Sequence, residues 1–174
     1  PSHVRFNEFI GKFCVSFTEI ERLNVVKLLF AKFADLHEIK IAHRDLGDHS
    51  IWIDPGKQIA LSNFISAYHQ PLGTIGDFRE QLSVSEGNVP AGMPVSKTTT
   101  PFQVDIYSLG LLAWHIIKAR RIYPKSLEMV PSEINESDSW YAPVVAKAID
   151  GNSFNYAKDL FDALKESEPA NEDN

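Results

Sequence analysis

The chain has 174 residues, 44% of them apolar and 23% charged, with a formal net charge of −6. These values describe one soluble globular domain with a sizeable core, and the acidic balance argues against attraction to nucleic acid or an anionic membrane. No apolar run is long enough to span a bilayer, and a single cysteine, Cys14, excludes an intrachain disulfide or a cysteine-rich zinc site; a reducing cytoplasm fits.

Val4 to Phe13 reads as a short helix. Ser16 and Thr18 each have a glutamate three positions on, Glu19 and Glu21, so either can form a capping box. Leu23, Val26, Phe30, Phe33 and Leu36 then recur at helical spacing, widened by Val25, Leu28 and Leu29. This predicts a well-buried helix ending near Glu38. Ile51–Ile53 and Ile59–Leu61 read as two strands joined by the turn Asp54-Pro55-Gly56-Lys57. Gly56-Lys57 is no phosphate-binding loop, since the earlier glycine of that motif is absent.

From Ser66 to Pro101 there is no clear period, and a loop of this length is functional or mobile. Thr100-Pro101 is a helix start. Ile106, Leu109, Ala113 and Ile116 or Ile117, with Leu112 and Trp114, make a second buried helix. Tyr141–Ile149 and Asn155–Leu164 read as two more. The tail from Lys165 is acidic and is expected to fray.

Two strings stand out against this frame. His43-Arg44-Asp45-Leu46 lies between the first long helix and the hairpin. Asp105-Ile106-Tyr107-Ser108-Leu109-Gly110 opens the central helix, with Trp114 beyond. In this order, with these elements between them, they resemble the C-terminal lobe of a divergent, possibly bacterial, Ser/Thr protein kinase over nearly the whole chain. The resemblance implies a mainly α domain over residues 1–164, with a short β-hairpin after the catalytic loop and an acidic tail over 165–174.

It also implies roles. Asp45 would accept or orient the proton of a substrate hydroxyl. His43 would hold the loop by packing and hydrogen bonds. Arg44 would face an activation-loop phosphate, with a plain surface ion pair as the alternative. Asp105 would accept hydrogen bonds from the catalytic-loop backbone. His43 and His49 form no recognisable metal motif.

The same comparison exposes departures. Where such kinases carry a lysine two positions after the aspartate, this chain has Gly47. Where they carry a magnesium-binding asparagine, it has Ser50. The Asp-Phe-Gly aspartate is Asn63, followed by Phe64 and Ile65. Ser50 and Asn63 are therefore weak metal or nucleotide ligands, and Asp48 and His49 are possible substitutes. Counting back from Asp105, Ala-Pro-Glu falls on Ala91-Gly92-Met93, and the arginine that would pair with its glutamate falls on Ser153.

No glycine-rich loop or Val-Ala-Ile-Lys strand occurs in the 174 residues. The expectation is a lobe whose partner is a missing N-terminal lobe, with ATP and Mg²⁺ held only when that lobe is present. The isolated chain would be inactive and prone to self-association through the exposed lobe interface. The functional readings are a divergent kinase acting on protein Ser/Thr in a longer parent, a pseudokinase serving as an interaction or regulatory domain, and a helical bundle with a chance motif.

Overall fold

The computed structural model describes residues 2–70, 73–74 and 89–170. It is mainly α, with two small antiparallel sheets. In chain order the elements are β1 (Val4–Arg5), α1 (Phe6–Lys12), α2 (Glu19–Glu38), β2 (Ile41–Ala42), β3 (Ile51–Ile53), β4 (Ile59–Leu61), β5 (Tyr68–His69) and β6 (Gly73–Thr74). Helices α3 (Pro101–Ile117), α4 (Pro124–Leu127), α5 (Val130–Glu136), α6 (Ala142–Ile149) and α7 (Ala157–Ser167) follow. One sheet has the order β1-β3-β4 and the other β2-β5-β6.

Local chemistry sets the helix starts. Thr18 accepts from the Glu21 backbone while Glu21 reaches back to the Thr18 N–H, a reciprocal capping box that begins α2. Thr100 and Gln103 do the same for α3, with Pro101 in its first turn. At the other end of α3, the Arg22 guanidinium donates to the Ile117 carbonyl at 3.1 Å and to the Cys14 carbonyl at 2.8 Å. A cation on the last carbonyls of a helix satisfies acceptors that have no partner within it.

Every residue of α3 is buried. It packs against α2 on one side and α6 on the other, and the core gathers around it. The apolar stripe of α2 is Leu23, Val26, Phe30 and Phe33, with Leu36 partly buried against the core and His37 buried beside it, while Leu28 is 44% exposed. Leu28 is thus a correction: it faces away from the seam that α2 shares with α3 and α7.

The hairpin forms as the turn chemistry predicts, with Ile51 opposite Leu61 and Ile53 opposite Ile59. The left-handed residue in its turn is Lys57 (φ 65°), not Gly56. Asp54 fixes it by accepting the Lys57 N–H at its carbonyl and the Gln58 N–H at its carboxylate. Val4 and Arg5 are a strand, not the start of a helix, because they pair with Ile53 and Trp52. Helices α4 and α5 and the β2–β5 pairing were not anticipated. Helix α7 continues through Lys165 to Ser167, past the start of the expected tail, and Glu168 pairs with Lys27 at 2.5 Å. Residues 71–72, 75–88 and 171–174, which hold much of the long loop and the end of the tail, lie outside the described residues.

Two features of α3 generate tests. A Cβ on Gly110 would lie 2.8 Å from Ile149 Cγ2 and 2.9 Å from Ala148 Cβ, so this glycine lets α3 and α6 approach. Gly110→Val is expected to lower unfolding free energy by about 2 kcal/mol through overpacking, measured by urea denaturation. His115 is wholly buried and donates from Nδ1 to the Arg120 carbonyl at 2.8 Å; its Nε2 has no partner among the described residues. Burial holds this imidazole below the ordinary histidine range. The unfolded chain therefore binds a proton that the folded chain resists. Its stability contribution is complete above about pH 6.5 and is lost as pH falls toward the depressed folded value. The slope of unfolding free energy between pH 7.5 and 5 should be shallower in His115→Phe.

Candidate functional site

The site is organised by a carboxylate with no solvent exposure. Asp105, in the second turn of α3, accepts the His43 N–H at 2.8 Å and the Arg44 N–H at 2.7 Å. A third donor is His37 Nε2, at 2.9 Å. The His37 tautomer follows from its other nitrogen. Nδ1 receives the Ala157 N–H at 2.9 Å, so Nδ1 is the lone pair and the proton is on Nε2. One buried aspartate thus joins the end of α2, the loop after β2 and, through His37, the first turn of α7. The Phe102 ring closes over the His37 ring at 5.0 Å.

Those bonds shape the loop. Arg44 takes a left-handed backbone, φ 71°, a conformation that costs a non-glycine residue about 1–2 kcal/mol. Consecutive N–H groups gripping one carboxylate hold it there. The Arg44 side chain is 8% exposed, which removes the surface ion-pair reading, and its Nε has no partner among the described residues. Burial lowers the guanidinium below the usual arginine range, partly offset by Asp105. His43 lies beneath the loop: Nε2 donates to the Ser62 carbonyl at 2.6 Å, Nδ1 accepts the Asp45 N–H at 3.2 Å, and the Phe64 ring lies 4.6 Å away.

The Asp45 carboxylate is about half exposed at the tip of this loop, and His49 Nε2 approaches it at 3.1 Å. The other candidate ligands are engaged elsewhere. Ser50 is fully buried; its Oγ receives the Gly47 N–H at 3.0 Å and donates to the Gly47 carbonyl. Asp48 accepts the Asn7 N–H at 2.7 Å, serving the start of α1. Asn63 has a left-handed backbone, φ 59°, and its Nδ2 donates to the His49 carbonyl at 3.0 Å. Among the described residues no group of three His, Cys, Asp or Glu side chains is placed to hold a metal ion, and Ser50 Oγ and one Asp48 oxygen are already bonded within the domain.

Met93 is buried and Pro94 packs on Gly151, where a Cβ would meet the Pro94 carbonyl at 2.9 Å and Met93 Cε at 3.8 Å. The Ser153 hydroxyl bonds to Asp150 in the same loop. The segments around Met93 and Ser153 are therefore neighbours, joined by apolar packing rather than by an ion pair.

Sequence reasoning missed His37 and Ala157. The available signal was a histidine falling on the buried stripe of α2 four residues after Phe33, since a polar group there demands a buried partner.

Over 93 residues, 51% of the chain, the sequence is 30% identical to the Probable serine/threonine-protein kinase ireA of Dictyostelium discoideum. The chain spans 9% of that protein's length. No protein-family model matches. The similarity is a coarse kinase-like relationship over half of the chain.

Asp105→Asn keeps the shape of the side chain but turns an N–H toward donors that need an acceptor. It is expected to destabilise the fold by roughly 1–3 kcal/mol in urea denaturation. It should also accelerate amide exchange at His43 and Arg44 beyond the global effect.

Proposed function

We propose that this chain is a protein kinase-like C-terminal lobe acting as a pseudokinase: an interaction or regulatory domain that carries a catalytic-type loop without a working metal site. The observation that supports this reading is that three of the four candidate magnesium ligands make side-chain hydrogen bonds within the domain, Ser50 and Asp48 through oxygens and Asn63 through its amide nitrogen. Ser50 is closed onto Gly47, Asp48 serves α1, and Asn63 ties to His49. A neutral amide at position 63 is a poorer partner for a hard dication than a carboxylate. Phosphoryl transfer depends almost wholly on positioning and charge neutralisation, so a lobe that holds the cation poorly loses most of the catalysis. The partner would be a protein, with the remainder of the parent chain, including a nucleotide-covering lobe, as the first candidate.

The second reading is a divergent Ser/Thr kinase, active in a longer parent. It is favoured by the half-exposed Asp45 carboxylate at the loop tip, where a substrate hydroxyl could reach it. ATP and Mg²⁺ would then bind only with the other lobe in place, and the 174-residue chain alone would show no ATP turnover.

Calorimetric titration of the longer protein with Mg-ATP separates the two. The pseudokinase reading expects no binding in the micromolar range and no autophosphorylation. Micromolar binding together with autophosphorylation abolished by Asp45→Asn, with the fold intact, would overturn it.

A further inference from the structure

We infer that α1, the Gly47–Ser50 turn of the catalytic-type loop and the turn after α3 form one cooperative unit, closed by Asn7, so that an event at any of the three is felt at the other two. Such coupling holds whether or not the loop ever meets a nucleotide, so it is independent of the pseudokinase reading.

Helix α1 does not stand by itself. It has seven residues, too few for stability in isolation, and Arg5 at its N-cap makes no side-chain capping bond. Phe6, Phe9 and Ile10 bury its apolar side, which attaches it to the core through a force that has no direction. Its position is set by polar bonds. The first N–H groups of a helix need acceptors from outside it. The Asn7 N–H finds one 41 residues away, donating to Asp48 Oδ1 at 2.7 Å. Asp48 is thus the cap of α1, supplied by the loop.

The side chain of the same asparagine grips a third element. Its Nδ2 donates to the Ile122 carbonyl at 3.0 Å and its Oδ1 accepts the Ile122 N–H at 2.7 Å. About one helical turn further along α1, a Cβ on Gly11 would collide with the Arg121 guanidinium, so helix and turn meet at two successive places.

The anchored elements are themselves stiff. In the loop, the Ser50 N–H bonds to the Gly47 carbonyl and the Gly47 N–H to Ser50 Oγ, which holds Asp48 inside a closed turn. After α3, the Ala119 and Arg120 N–H groups return to the Ile116 and His115 carbonyls. The Arg120 guanidinium pairs with Glu133 of α5 through bonds of 2.7 and 3.0 Å. A displacement of Asp48 is therefore passed to Asn7 and on to Ile122 rather than absorbed in slack backbone. Proteins open locally in contiguous units, and ordering one part of a unit lowers the entropic cost of ordering the rest. A protein seated on the loop would protect the turn after α3, and one seated on that turn would protect the loop.

Native-state amide exchange on the 174-residue chain tests the coupling, because each bond has its own reporter. The Ile122 amide bonds to Asn7 and not to Asp48. Asp48→Ala should nevertheless speed exchange of the Ile122 N–H several-fold, beyond any change at Leu160 and Leu164 in α7. Asn7→Ala keeps the backbone donor to Asp48 and loses the grip on Ile122; it should speed exchange at Gly47 and Ser50 by a similar factor. Asp48→Asn, which retains an acceptor, should give a smaller effect at Ile122 and serves in place of Asp48→Ala if that variant does not fold. An Ile122 amide unchanged in both Asp48 variants, or Gly47 and Ser50 amides unchanged in Asn7→Ala, would mean that the three elements open separately and would overturn the coupling.

Discussion

The three hydrogen bonds into Asp105 are the constraint on which the rest depends. A carboxylate with no exposure, in a helix buried along its entire length, is tolerable only if its lone pairs are satisfied. Two of its donors are adjacent backbone N–H groups, and this dictates the conformation of the loop that carries them. The left-handed turn at Arg44 is a consequence of that grip. The third donor, His37, makes the bond a three-body junction, because its second nitrogen receives the first N–H of α7. Loop, α2, α3 and α7 are therefore not independent packing units. Loss of the carboxylate would leave three buried donors without their acceptor and would loosen four elements together.

From that junction, order passes outward through His43. Its ring receives the Asp45 N–H and donates to the Ser62 carbonyl, so the loop tip and the exit of the β-hairpin are held at a fixed separation. Ser62 then returns to the sheet: its N–H bonds to the Ser50 carbonyl and its hydroxyl accepts from Trp52 Nε1. Asn63 follows directly, in a left-handed conformation that asparagine tolerates better than most residues.

How much could be read from the amino-acid sequence depended on whether a signal was local. Thr18 with Glu21, Thr100 with Pro101 and Gln103, and the Asp54–Lys57 turn each place their partners within four residues, and the elements they begin or join lie where the pattern puts them. The pairing of Val4 and Arg5 with Ile53 and Trp52 spans almost fifty residues, so a segment of mixed pattern read as helix throughout. Helices α4 and α5 are four and seven residues long, too short for a period to declare itself. At the site, the residue types suggested which groups matter, but not their engagements. Nothing adjacent in sequence links Asp48 to Asn7, or His37 to Asp105, and the seat of His49 depends on a side chain that Gly47 does not have.

That last point bears on how substitutions in such a loop should be read. Gly47, Ser50 and Asn63, taken one at a time, look like losses: a cation gone, an amide shortened, a charge neutralised. In three dimensions they are coupled. Ser50 is short enough to close onto Gly47, Gly47 is bare enough to admit the His49 ring, and the Asn63 amide can donate to the His49 carbonyl where a carboxylate could not. An aspartate at position 63 would bring an acceptor to the His49 carbonyl, two oxygens facing each other with no proton between them. A side chain at position 47 would crowd the imidazole, since a Cβ there lies 3.0 Å from the ring Cε1. The loop backbone is thus tied by Ser50, His43 and Asn63, while the Asp45 carboxylate stays about half exposed at its tip.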